Sequence, residues 1–333
     1  MNAPHWRPPP VVSIVVPTYR RPELLERCLG ALASQVFDPG TYEIVVVDDD
    51  AAGSARPVVD ALTVRMGGLP AIRYASAPRT QGPAGARNAG WREAAGPVIA
   101  FTDDDTIADP LWLRNGCSAL LAQPNASAAA GRIEVPLAPC PTDYERDAGG
   151  LAHAEFATAN CFVRRAALER VGGFDERFTR AWREDADLMF ALRERAGPIV
   201  DARTATIVHP VRPARWGVSI AQQSKVFFDA LLYKKHRDVY RRHIRSVPPW
   251  HYYAAVLALL GACVALALGL HAAAAACAAA WAGITAAFCW RRLRGTAHTP
   301  SHVAEMIVTS IAIPPVSLYW RLRGALHFRV LFL

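Results

Sequence analysis

Acidic side chains are almost missing from the last part of this chain: residues 241–333 hold nine arginines and a single acid, Glu305. Residues 1–240 hold 28 Lys plus Arg against 28 Asp plus Glu, so the net charge of +8 lies wholly in the tail. A balanced front part argues against a basic nucleic-acid-binding face, and nucleic acid is not an expected partner; the basic tail points instead to anionic lipid headgroups. CxxC spacing is also missing. The seven cysteines are scattered, three of them in the apolar tail, and read as reduced, mostly buried thiols in a cytoplasmic setting. The start lacks a basic-then-apolar run, so no signal peptide is expected, and residues 1–10 read as a disordered proline-rich lead. Neither GxxxxGK[ST] nor GxGxxG occurs in the one glycine-rich stretch near the middle of the front part, which excludes a Walker loop and the dinucleotide fingerprint there.

What is present begins with VIAFTDDD, Val98 to Asp105, an apolar run that empties into three carboxylates. Like charges this close repel unless water, basic partners or a cation relieve them, and carboxylate oxygens suit Mg²⁺ or Mn²⁺. The alternative is a solvated acidic turn that caps the next helix. Val11 to Val16 is a second buried strand, ended by Pro17 and Thr18, and the apolar spacing of Leu24, Leu25, Cys28, Leu29 and Leu32 predicts an amphipathic helix after it. Tyr42 to Val47 repeats the pattern and ends in Asp48, Asp49 and Asp50; a weaker strand is expected over Ala71 to Ala75. Strand, helix and strand at this interval imply a mostly parallel sheet, in which ligands bind beyond the carboxyl ends of the strands. Both acidic clusters therefore belong to one rim. Between them, GPAGARNAG (Gly82 to Gly90) combines small residues with Arg87, an anion-binding fork. Further on, VGGFDERF is followed by WREDADL, where Glu184 and Asp185 stand at a helix start and have helix capping as their alternative reading. Ile207 to Pro210 reads as a last strand carrying His209 at its end.

In this order and spacing, VVPTYRRPELLERCLGALASQ, EIVVVDDD, GPAGARNAGWREAAGPVIAFTDDD, GGFDERF and WREDADL resemble family-2 glycosyltransferases of the GT-A fold, over roughly residues 11–240. The resemblance implies an α/β, Rossmann-like, mostly parallel sheet flanked by helices. It implies that Pro17, Thr18 and Tyr19 line the nucleotide pocket, that Asp49 accepts a hydrogen bond from the base, and that Arg87 lies near the nucleotide or its phosphates. Asp103 and Asp105 match the DxD pair that presents a divalent cation, Mg²⁺ or Mn²⁺, to the diphosphate; Asp104 stands between them on the nucleotide-sugar. Asp185, in the pair with Glu184, matches the catalytic base of a single inverting displacement. Two features depart from the family pattern or stand outside it. The VDDGS turn is here Asp48, Asp49, Asp50 and Ala51, and His209 reads either as a further metal or phosphate ligand or as a structural hydrogen-bonder.

After the basic run Lys234 to Arg245, residues 241–333 read as a membrane-associated α-helical tail. Tyr252 to Leu270 and Ala272 to Trp290 are each 19 residues without a charge, close to the roughly 20 that span hydrocarbon. Arg241, Arg242 and Arg245 precede the first, Arg291, Arg292 and Arg294 follow the second, and only His271 lies between. By the positive-inside rule this is a hairpin with both ends cytoplasmic. Val303 to Trp320 contains Glu305, Pro314 and Pro315 and is expected to be interfacial or re-entrant. The expectation for the whole chain is an inverting, metal-dependent transferase that takes a nucleotide-diphosphate sugar and a membrane-held acceptor, lipid-linked or a cell-envelope glycan, on the cytoplasmic face. A nucleotidyltransferase and a non-catalytic sugar-nucleotide-binding membrane protein are the alternatives.

Overall fold

The structure is a computed structural model that describes residues 9–77 and 82–332; most of the expected disordered lead, residues 1–8, lies outside the described residues. In chain order the elements are β1 (Val12–Thr18), α1 (Pro22–Ala33), β2 (Tyr42–Asp48), α2 (Arg56–Arg65), β3 (Ala71–Ser76), α3 (Pro83–Glu93), β4 (Val98–Thr102), β5 (Ile107–Ala108), α4 (Trp112–Leu121), β6 (Ala128–Glu134), α5 (Asp143–Gly149), β7 (Asn160–Arg164), α6 (Arg165–Val171), α7 (Glu184–Arg195), β8 (Ile199–Val208), α8 (Val218–Gln222), α9 (Val226–Lys235), α10 (Arg237–His243), α11 (Trp250–Ala267), α12 (His271–Leu293) and α13 (Pro300–Phe328). They fall into two compact units. One comprises the chain up to Pro136 with Gly150–Pro210, and the other Leu137–Gly149 with Val211–Leu333.

The first unit holds one eight-stranded sheet in the order β3-β2-β1-β4-β7-β6-β8-β5. β1, β2 and β4 are runs of β-branched and small apolar residues covered on both faces, as parallel strands between helix layers must be, and every residue of β2 and β4 is buried. β3, β2, β1 and β4 are mutually parallel. The sheet is mixed beyond that point, because β7 runs antiparallel to both β4 and β6, while β8 is parallel to β6. On one face Val12, Ile14 and Val16 pack with Leu25, Leu29 and Leu32 of α1 and with Trp112, Leu113 and Phe162; each such leucine contributes about 1.5–3 kcal/mol by leaving water. On the other face α3 lies close to β1 and β2 because of Gly90, where a Cβ would overlap the side chains of Val15 and Val47.

β6 carries an irregularity between Gly131 and Arg132 where it pairs with β8. Asn160 fills it: its amide donates to the carbonyls of Arg132 (2.8 Å) and Ala205 (2.9 Å) and accepts from the indole N–H of Trp112 (2.8 Å). A bulge redirects a strand end, and here β8 resumes pairing through Val208, after which the N–H of His209 donates to the carbonyl of Glu134 at 2.8 Å. β8 therefore begins eight residues before the short strand that the sequence pattern indicates.

In the second unit α11, α12 and α13 are each long and apolar enough to cross a membrane by length and composition. α11 packs on α12, with Gly261 facing Cys277. α13 packs on α9, where Gly324 lets the helix approach the carbonyl of Phe227. Residues 303–320 lie inside α13, and no re-entrant turn interrupts them; the helix continues through Pro314 and Pro315. Arg292, at the end of α12, is buried in this packing. It is satisfied by Asp143 of α5 (2.8 and 3.1 Å), Thr309 (2.6 Å), Ser310 (3.2 Å) and Ser219 (3.1 Å).

Candidate functional site

The site lies at the carboxyl ends of β1, β2 and β4, where the parallel strands stop in register and their next residues are polar. After Thr102 the chain leaves the strand in a turn, closed by the Thr106 N–H donating to the Asp103 carbonyl at 3.3 Å, and the three carboxylates part company. Asp104 turns inward, 3% exposed, and accepts from Thr18 Oγ1 at 2.8 Å and from Arg21 at 3.2 Å. Burial raises its pKa, with Arg21 and Thr18 opposing. Asp104 thus braces β1 and the residue before α1 against the rim. Asp103 and Asp105 point the other way and meet His209 from the end of β8: one ligand atom from each lies within 4.8 Å of the others. Asp105 Oδ1 stands 3.4 Å from His209 Nε2. Two carboxylate oxygens and an imidazole nitrogen form a donor set that fits a divalent cation.

Arg87 is the surprise of the rim. It is 2% exposed, with one terminal nitrogen 2.7 Å from Asp103 Oδ1 and the other 3.1 Å from Glu184 Oε1. Burial alone would favour loss of its proton, but the two carboxylates outweigh it and raise its pKa. Its fork therefore faces these two acids. The neighbouring Asn88 acts on a different loop: its amide clamps both backbone groups of Phe174 at 2.9 Å and reaches Glu176 at 2.8 Å. The Gly172–Gly173 pair, both at positive φ, lets that loop close on Asn88; a Cβ on Gly173 would stand 2.5 Å from its Oδ1.

Glu184 and Asp185 open α7, and the residue before them, Arg183, holds φ +76, a left-handed conformation that costs energy for a non-glycine residue. Burial raises the pKa of Glu184, the charge of Asp185 adds to it, and Arg87 opposes. One Glu184 oxygen, Oε2, is buried without a hydrogen-bond partner among the described residues. Asp185 is also raised by burial, with the N–H of Ala186 donating to its Oδ1 at 2.7 Å and Arg87 and Arg183 opposing. A carboxylate poised this way suits proton abstraction.

On the β1–β2 side, Thr18 is buried and Tyr19 is 43% exposed. Asp48 is structural: its two oxygens accept the N–H groups of Asp50 (2.9 Å) and Ala55 (2.8 Å). Asp49 Oδ2 accepts the N–H of Gly82 at 2.7 Å, while Oδ1 is buried without a partner among the described residues; burial raises its pKa and Gly82 opposes. Gly82 itself has φ +114, and a Cβ there would lie 2.5 Å from the carbonyl oxygen of Thr179. The third acid, Asp50, pairs with Arg20 at 3.2 Å. Pro17, the next-to-last residue of β1, pairs with Val47. Sequence reasoning missed Asn88, Asn160, Trp112 and Arg21; only Asn88, beside Arg87 in a glycine-rich stretch, carried any local signal.

Comparison with known proteins agrees with this architecture. The family described as Glycosyl transferase family 2 matches residues 13–171, and the one described as Glycosyl transferase family group 2 matches residues 148–291. A validoxylamine A glucosyltransferase of Streptomyces hygroscopicus subsp. limoneus is 29% identical over 231 residues, 58% of this chain and 50% of that protein. A GalNAc(5)-diNAcBac-PP-undecaprenol beta-1,3-glucosyltransferase of Campylobacter jejuni is 34% identical over 97 residues, 29% of this chain and 30% of that protein. The chain spans about half the length of the first of these relatives. A mannosyltransferase from Pyrobaculum calidifontis, solved with GDP-Man and Mn²⁺, shares the fold with a TM-score of 0.59 at 21% identity, over 95% of this chain and 88% of that one. The sheet is a GT-A sheet with an apolar helical region after it, and the two matches, to family 2 and to family group 2 of the glycosyl transferases, together run from residue 13 to residue 291.

Proposed function

We propose that this protein transfers a sugar from a nucleotide-diphosphate sugar to an acceptor hydroxyl with inversion at the anomeric carbon, and that the acceptor is lipid-linked or otherwise held at the membrane. The observation that carries the reading is the meeting of Asp103, Asp105 and His209, tied through Arg87 to the Glu184–Asp185 pair. Asp103, Asp105 and His209 would hold the cation, and the imidazole in the set favours Mn²⁺ over Mg²⁺. A bound divalent cation supplies charge neutralisation for the departing diphosphate.

The remaining work belongs to the chain's own groups. Asp185 takes the proton of the acceptor hydroxyl as that oxygen attacks from the face opposite the leaving group. Arg87 positions Asp103 and Glu184 and so fixes the base relative to the cation ligands. Asp49, with one oxygen fixed by Gly82 and the other open, accepts from the base of the nucleotide, and Pro17, Thr18 and Tyr19 line its pocket. The undecaprenol-linked relative and the three apolar helices support a lipid-linked acceptor, whose effective concentration rises when the catalyst shares its membrane. The charge pattern around α11 and α12 supports a catalytic unit on the cytoplasmic side.

The test is a screen of UDP-, GDP- and dTDP-sugars with the protein in membranes, with and without Mn²⁺. Metal-dependent release of a nucleoside diphosphate, abolished by Asp185→Asn, is the expected outcome. Release of pyrophosphate would favour nucleotidyl transfer, and donor binding without turnover would favour a sugar-nucleotide-binding protein.

A further inference from the structure

A second charged cluster lies outside the catalytic rim, at the end of α9 and along α10. Tyr233 is 3% exposed and packs edge-on against Tyr240 (5.5 Å) and at a tilt against Phe332 (5.3 Å). Three guanidinium N–H groups converge on its phenolic oxygen: Nε of Arg237 at 2.9 Å, and Nε and one terminal nitrogen of Arg241 at 3.2 and 2.8 Å. The same two cations lie 5.5 and 5.3 Å from the centre of the ring. Burial alone would raise the phenol's pKa, but the donations from Arg241 and Arg237 outweigh it and lower the value. Arg245 lies two residues beyond α10 and is exposed, like Arg237 and Arg241.

Among the described residues, neither Arg237, Arg241 nor Arg245 pairs with a carboxylate. That is an unusual way to gather like charges, because two guanidinium groups drawn to one neutral oxygen repel and want an anion. The donors left over are the right ones. Arg237 reaches the phenol through Nε alone, so among the described residues both its terminal nitrogens lack a protein partner; the other terminal nitrogen of Arg241 makes one long hydrogen bond, 3.4 Å, to the carbonyl of Ser246. Planar forks with open edges match the oxygens of a phosphate. Five residues after Arg245 comes Trp250, 57% exposed, the first residue of α11. A cluster beside the start of a membrane-length helix stands at headgroup depth.

We infer that Tyr233, Arg237, Arg241 and Arg245 form a binding site for the phosphate of an anionic glycerophospholipid, with the tyrosine hydroxyl as the keystone that sets the two forks. This differs from diffuse attraction to a charged surface, because it depends on guanidinium geometry and not on charge alone. It is independent of the reaction proposed above.

The experiment uses the full chain in neutral detergent and follows its thermal unfolding midpoint against dihexanoylphosphatidylglycerol, dihexanoylphosphatidylcholine and inorganic phosphate. Saturable stabilisation by the glycerol lipid, with little from the other two, is expected. The Arg237→Lys, Arg241→Lys double variant keeps the charge and removes the forks, and weakens this binding by about tenfold. Tyr233→Phe keeps the ring, loses the keystone oxygen, and weakens it by a smaller factor. If the double variant does not fold, Arg245→Lys, whose side chain supports no protein group, makes the same comparison. Equal stabilisation by phosphatidylcholine, equal stabilisation by inorganic phosphate, or lysine variants that bind like the parent would each overturn the assignment.

Discussion

Arg87 sits buried between Asp103 and Glu184, whereas Arg237 and Arg241 lie exposed and share one phenolic oxygen. The first cluster is closed: its cation is balanced by acids of the same unit, and its purpose is to hold them. The second is open, with donors on Arg237 that no described residue uses. The contrast teaches that the amount of unmatched charge, and not the number of arginines, separates a group that organises a site from one that receives a ligand.

The largest expected effect is at the base. Asp185→Asn should lower kcat by about 10²–10⁴-fold, the usual worth of a general base, in a sugar-transfer assay. The same variant should unfold at an unchanged or higher temperature. Burial raises the folded-state pKa of Asp185, so the ionised form costs stability above the unfolded pKa, and an amide removes that cost. Arg87→Met breaks the closed cluster and leaves two carboxylates facing each other; a loss of about 3–5 kcal/mol is expected by denaturant unfolding. Arg237→Met is the sharpening control, and should change stability by less than about 1 kcal/mol.

Next in size is the cation. Asp105→Asn should weaken Mn²⁺ binding, measured by calorimetry, by at least tenfold, whereas Asp104→Asn should leave it within about twofold, because Asp104 serves Thr18 and Arg21. Smallest is a pH effect. Since the pKa of Asp185 is raised, the acid limb of kcat/KM should fall at a pH above the ordinary aspartate range; a limb at the value of a solvated aspartate would argue against Asp185 as the base.

The strands that carry the rim were legible because β1, β2 and β4 are continuous β-branched runs ending in polar residues, a local property. The two acidic clusters and the helix start at Glu184 were legible for the same reason. The direction of each acid was not. Asp103 and Asp104 are adjacent in sequence, and the turn that follows Thr102 sends one to Arg87 and the other to Thr18. The burial of Arg87 depends on Glu184, 97 residues away, and the bulge at Gly131 on Asn160 and Ala205. Most of β8 escaped notice because Asp201, Arg203 and Thr204 interrupt its apolar pattern at the edge of the sheet. Pro314 and Pro315 suggested a break in the tail; packing on α9 keeps α13 continuous where local propensity opposes it.

Residues 137–149 leave the sheet unit after β6, contribute α5 to the helical unit, and return before β7. There Asp143 supplies the carboxylate of Arg292, and Arg146 donates to the backbone carbonyls of Arg292 and Arg294. The chain therefore crosses between the units three times, and no single cut separates them. A stop codon after Pro210 would release a sheet with an internal loop stripped of its partners. Attempts to obtain a soluble catalytic fragment should start by replacing 137–149 with a short linker, not by trimming the C-terminus alone.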